Sequence, residues 1–194
     1  MRILLLLLGI SMSTVALAHP GHDQMVHSSL LAGMLHPFTG LDHLTMGLGF
    51  GVLMSRMMKQ ARLIGLGLLL AALAGGFMLG VQHLFAAQVA EYGIALSLVI
   101  LAVALWQRSR SVYLIMLMSM GVFHGMAHGN ELSAGVQPEL FMLGMMLSLG
   151  LLYMAGVLCS RWLKQYLSAN DRSQRSDRAV AFLVGAVAIF ELAV

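Results

Sequence analysis

Two short stretches set imidazoles and carboxylates among otherwise apolar residues: His36-Pro37-Phe38-Thr39-Gly40-Leu41-Asp42-His43 and His124-Gly125-Met126-Ala127-His128-Gly129-Asn130-Glu131. An ionisable group surrounded by hydrocarbon is costly unless it is paired, hydrated or bound to an ion, so such groups mark functional positions. Neutral imidazole nitrogen and carboxylate oxygen suit borderline divalent ions such as nickel, cobalt and zinc, and suit Cu(I) less well. The same groups carry protons. The residue types therefore point to metal or proton handling.

The spacing of the second stretch puts His124, His128 and Glu131 at i, i+4 and i+7, along one face of a helix. Gly121, Gly125 and Gly129 form an adjoining stripe that admits a close neighbour, and the first helix is its expected partner. In the first stretch, His36 and His43 share a face if the helix is continuous, with Asp42 about 100° round from His43. Pro37 lacks an N–H and biases His36 away from helical geometry, and Gly40 adds freedom. The first helix is therefore expected to kink or break at Pro37. Broken helices inside a membrane line cavities and recur at ion sites of transporters.

The elements that carry these residues are hydrophobic. Of 194 residues, 59% are hydrophobic and only 10% charged, with a mean hydropathy of +0.87, which is the composition of a membrane protein. A formal charge of +3 does not indicate a nucleic-acid surface. Cys159 is the only cysteine, which excludes an intramolecular disulfide, a thiol pair and a thiolate cluster. Met1, Arg2, the apolar run from Ile3 to Ile10 and Ala16-Leu17-Ala18 read as a signal peptide over residues 1–18, removed to leave His19 as N-terminus.

Residues 19–194 then form one all-α domain, a polytopic membrane bundle of six helices near 28–55, 63–85, 89–107, 111–131, 138–160 and 179–194. Ser168 to Arg178 is the strongly polar run, expected as a solvated connection between the fifth and sixth helices. With the N-terminus outside, Arg56, Lys59, Arg62, Arg108, Arg110, Arg161, Lys164, Arg172, Arg175 and Arg178 all fall in inner loops. Both termini of the mature chain are then outside the cytoplasm. The first and fourth helices run in opposite directions. His43 and His124 come to the same depth, and His36 comes to a depth near those of His128 and Glu131, as one column of ligands if the two helices are neighbours. Asp42 is either a ligand or an acceptor that orients His43.

His36-Pro37 through Gly40 to Asp42-His43, together with Phe123-His124-Gly125 through Ala127-His128-Gly129 to Glu131, resemble the two signature motifs of the HupE/UreJ family of hydrogenase and urease accessory proteins. The signal segment followed by His19-Pro20-Gly21-His22 and the six apolar segments extend the resemblance over nearly the whole chain. It implies a nickel or cobalt permease of the bacterial inner membrane, with metal-handling roles for His36, Asp42, His43, His124, His128 and Glu131. It also implies Ni2+ or Co2+ as transported substrate rather than prosthetic group, with metalloenzyme maturation factors as downstream partners. His-x5-Asp-His is similar to the motif of the larger nickel-cobalt transporter family, but one residue longer.

His19, His22, Asp23 and His27 form an expected capture site on the outer face, where the freed amine of His19 chelates with its own imidazole and metal capture weakens as pH falls. His83, at the outer end of the second helix, lies near the expected entrance. The 17 methionines are expected as flexible apolar packing, and Glu91, Glu139 and Glu191 as solvated groups at outer helix ends. No phosphate loop or nucleophile-base arrangement points to an enzyme. A haem protein with paired axial histidines, a zinc hydrolase, and a metal-binding accessory or sensor protein without flux stand as alternatives. Visible absorption, chelator-sensitive hydrolysis and radiometal flux, respectively, discriminate them from a permease.

Overall fold

The computed structural model describes residues 29–107, 110–132, 135–166 and 170–193. The expected signal peptide, and with it His19, His22, Asp23 and His27, lies outside the described residues. All elements described are helical: α1 (Ser29–Leu35), a single 3-10 turn (His36–Phe38), α2 (Leu41–Met54), α3 (Lys59–Val81), α4 (Ala87–Gln107), α5 (Arg110–Asn130), α6 (Pro138–Tyr166) and α7 (Asn170–Ala193). α3, α4 and α6 through Gln165 are long and apolar enough to cross a bilayer. Leu63, Ile64 and Leu68 of α3 and Leu147, Leu151 and Leu158 of α6 are exposed, as expected of a surface solvated by lipid.

The first apolar stretch divides at a defined place. α1 gives way at His36 to the 3-10 turn holding Pro37, and Thr39 closes that turn by donating its N–H and Oγ1 to the His36 carbonyl at 3.0 and 2.7 Å. Gly40 is extended (φ −106°, ψ 135°), and α2 starts afresh at Leu41. Ending a helix inside the bundle strands carbonyls, and Ser148 of α6 answers one of them by donating its hydroxyl to the Met34 carbonyl at 2.6 Å. Asp42 falls in the first turn of α2, where the helix's partial positive charge favours a carboxylate.

Glycine sets which helices approach closely, and it does so differently from expectation. The stripe Gly121, Gly125 and Gly129 of α5 lies against the backbone of α3, touching Leu69, Leu73 and Phe77, while Gly76 and Gly80 of α3 lie against the carbonyls of Val122 and Met126. The first helix is thus not the partner of that stripe. It has its own small-residue seam with α6, where Gly33 meets Phe141, Gly144 meets Leu30, Gly51 meets Tyr153, and Gly156 meets Leu48. These pairs make α3 parallel to α5, and α1–α2 parallel to α6. A methyl group at any of them would collide with main-chain atoms, which explains the preference for a bare Cα in helices joined by dispersion forces and backbone contact.

α2 also packs on α4 and α7. Met46, Phe50 and Leu53 of α2 join Leu69 and Leu73 of α3, Leu98 and Leu101 of α4, and Met116 and Met120 of α5 in one buried cluster. At the far end of α2, Arg56 donates from Nη2 to Asp177 Oδ2 at 3.0 Å and to the Leu105 carbonyl at 3.1 Å. Asp177 is almost fully buried. The polar run was expected as a solvated connection, yet from Asn170 it is the first part of α7. The buried pair with Arg56 gives the reason: one charge of the run is needed inside, at helical spacing from the apolar residues that follow.

Candidate metal centre

His43, in the first turn of α2, is the hinge of the site. Its Nδ1 meets Asp42 Oδ1 at 2.9 Å, and its Nε2 meets His128 Nε2 of α5 at 2.5 Å. The carboxylate can only accept, which makes Nδ1 the protonated nitrogen of a neutral His43 and leaves Nε2 with a lone pair toward His128. His36, held by the 3-10 turn, sets its ring 5.0 Å from that of His43 and 4.4 Å from that of His128, against Phe141 of α6. His36, His43 and His128 each offer a ligand atom within 4.8 Å of the others.

A second group shares His43. His124 is completely buried, one turn before His128 on α5, and its Nδ1 donates to the Met120 carbonyl at 2.9 Å. That bond fixes the tautomer and turns the Nε2 lone pair toward Asp42, whose Oδ2 lies 3.6 Å away. Asp42, His43 and His124 again offer ligand atoms within 4.8 Å of one another. His124 Nε2 and His36 Nε2 are buried without a hydrogen-bond partner. A buried imidazole nitrogen left in this way has lost its water and gained nothing in return, a deficit that a bound cation makes good.

Five of the residues singled out from the sequence therefore come together: His36, Asp42, His43, His124 and His128. Glu131 does not join them. α5 ends at Asn130, and Glu131 lies exposed in the turn that follows, its N–H donating to the Ala127 carbonyl at 3.1 Å. The i+7 spacing from His124 ran past the end of the helix. His83 is also apart from both groups. It is exposed after α3 with a φ of 50°, a left-handed conformation that histidine adopts more readily than most side chains. The Met120 carbonyl was missed, although a histidine four residues beyond a carbonyl on one helix is well placed to donate to it. Asn130 was also missed. Its amide is buried at the end of α5 with neither polar atom partnered, and nothing in its spacing set it apart.

The family model described as HupE / UreJ protein matches residues 5–190. A curated relative, Protein HupE of Rhizobium leguminosarum bv. viciae, is 27% identical over 155 residues, which cover 78% of each chain. No solved structure matches. With its long apolar helices the chain is a membrane protein, and the match over most of its length shows that it belongs to the HupE / UreJ protein family.

Proposed function

We propose that the chain is an uptake permease for a divalent transition-metal ion, nickel or cobalt, in the bacterial inner membrane. The observation that carries this reading is the pair of three-residue ligand groups joined through His43 inside the bundle, with His36 Nε2 and His124 Nε2 unpartnered. A single three-ligand site would suit storage or catalysis as well. Two adjacent sites that share one ligand form a path, because the shared imidazole serves each position in turn as the ion moves.

The helix directions support a bundle of six crossings. α1 and α2 together make one crossing, and α3, α4, α5, α6 and α7 make five more. Crossings an even number apart run parallel where their glycines meet, the second with the fourth and the first with the fifth, as alternating crossings require. The inner loops then hold the arginines and lysines, and both mature termini are periplasmic. In this reading the His19 region captures a hydrated ion, and Glu131 and His83 attract it at the outer rim. The ion sheds water at His36, His43 and His128, then passes to Asp42, His43 and His124. Metal–nitrogen bonds of about 2.1 Å at a tetrahedral angle hold two nitrogens about 3.4 Å apart, so the His43–His128 contact opens by about 1 Å on occupancy. The membrane potential supplies the drive. A dication entering a negative cytoplasm gains about 4.6 kcal/mol per 100 mV.

The test is uptake of radiolabelled nickel and cobalt into proteoliposomes under an imposed inside-negative potential. The wild-type chain accumulates ion, while His43→Ala and His124→Ala, incorporated to the same level, do not. Tight binding by the wild-type chain with no flux above empty vesicles would make it a metal-binding accessory protein instead.

A further inference from the structure

Two contacts, one from α2 and one from the turn that follows it, fix the register of this segment against α7. Arg56 pairs with Asp177 at 3.0 Å, and a methyl group at Gly49 would lie 3.5 Å from Val184 Cγ2. In both pairs the residue numbers sum to 233, as for antiparallel helices in register, and each step is seven residues on both helices. The next pair in the series is Asp42 with Glu191. A seven-residue step turns a helix only about 20° from a repeat, so after two steps Glu191 still lies on the face that α7 presents to α2. Consistent with this placement, both Asp42 and His43 act on Glu191 electrostatically.

The position is unfavourable for a carboxylate on its own. Glu191 lies in the last turn of α7, where the helix carries partial negative charge, and the register brings it to the level of a second carboxylate, Asp42. Both penalties disappear if a cation occupies the site. The site has the complementary deficit. Among the described residues, the two ligand groups contain one carboxylate, Asp42, so a dication held there leaves an uncompensated positive charge inside the bundle. The fully buried His124 Nε2, unpartnered and directed at Asp42, marks where that ion would sit.

We propose that Glu191 is the second carboxylate of the Asp42–His43–His124 group, meeting the partly hydrated divalent cation at the level of Asp42 and neutralising it there. This inference rests on the reading of that group as a metal site and adds the last helix to it. Glu191 keeps exposure at the edge of the bundle, so it meets the ion with part of its water shell, whereas His124 meets it dehydrated.

Equilibrium dialysis of radiolabelled nickel against the full chain in detergent tests the proposal. Wild-type protein and Glu139→Gln, an exposed carboxylate at the start of α6, bind alike; His43→Ala does not bind. Glu191→Gln binds about tenfold more weakly or worse, the effect of one unit charge on a dication across a partly hydrated gap. Glu191→Asp, which keeps the charge, stays within about threefold of wild type on the same ground. Wild-type affinity in Glu191→Gln while His43→Ala is inactive overturns the role of Glu191 alone. Wild-type affinity in His43→Ala overturns the metal site and this proposal with it. The placement has its own test, independent of metal. In a Cys159→Ser background, a short bis-maleimide joins the thiols of Asp42→Cys with Glu191→Cys in membranes, and failure to join them refutes the register.

Discussion

Because one imidazole belongs to both ligand groups, the protein should hold one divalent ion at a time. A neutral His43 has a single lone pair, and two ions on opposite nitrogens of its ring would require the ring to lose its last proton. Coulomb repulsion is the larger obstacle. With metal–nitrogen bonds of about 2.1 Å on either side of one imidazole, two ions would stand about 6 Å apart. Two dications at that distance repel by about 11 kcal/mol at an effective dielectric of 20, and still by about 3 kcal/mol at that of water. Even the smaller figure weakens the second ion by more than about a hundredfold. Dialysis at free nickel about tenfold above the first dissociation constant should therefore give about one ion per chain. His36→Ala and His124→Ala each destroy one group and leave the other, so they keep the same stoichiometry at lower affinity. His43→Ala removes a ligand from both and should bind none. Two ions per chain in the wild type, or one in His43→Ala, would refute the shared-ligand argument.

Other consequences follow from packing and linkage. Gly75 faces open space whereas its neighbour Gly76 lies against the Val122 main chain, so Gly75→Ala should leave the thermal midpoint in detergent unchanged or slightly higher, while Gly76→Ala lowers it. Equal midpoints would contradict the described α3–α5 seam. Asp177→Asn should destabilise the bundle by about 3–5 kcal/mol by leaving Arg56 buried and uncompensated; Arg56→Met combined with Asp177→Leu should recover most of that, as measured by denaturant unfolding. Nickel at about a hundred times its dissociation constant should stabilise the wild-type chain by about 2.7 kcal/mol, an effect that chelator reverses and His43→Ala abolishes in a thermal-shift assay.

How far the sequence could be read depended on whether a feature was local. Hydropathy placed the apolar cores of the helices, as in 111–131 against the observed Arg110–Asn130, but not the polar ends of the last two, which extend to Tyr166 and begin at Asn170 rather than at 160 and 179. The shared face of His124 and His128 was legible because four residues of one helix fix it. The same rule carried the helical face on to Glu131, one residue past the end of α5, since periodicity does not announce where a helix stops. The partner of the Gly121–Gly125–Gly129 stripe was not legible, because a smooth helix face fits any neighbour and α3 offers Gly76 and Gly80 in matching register. Glu191 is exposed in the last turn of α7, as its place at a helix end suggested, and the role proposed for it comes from the register of α7 on α2, which no local pattern carries.

That misplaced stripe explains the site better than the expected arrangement does. Had the glycines of α5 drawn the first helix against them, backbone would have filled the space between α2 and α5, and imidazoles at 43, 124 and 128 would have had to point elsewhere. Instead, the close seams are spent on α3–α5 and on α1–α2 with α6, each between parallel helices, while α2 and α5 make no extensive backbone approach among the described residues. Side chains span the interval: His43 reaches His128 and Asp42 approaches His124. The 3-10 turn adds His36 from above by ending α1 early, which an unbroken helix could not do from the same side chain position without the bend at Pro37. Small residues hold the walls rigid, and the polar side chains occupy the interval left between them. A ligand in such a gap can move to admit an ion without shifting a helix, and this is the property a path requires of its binding sites.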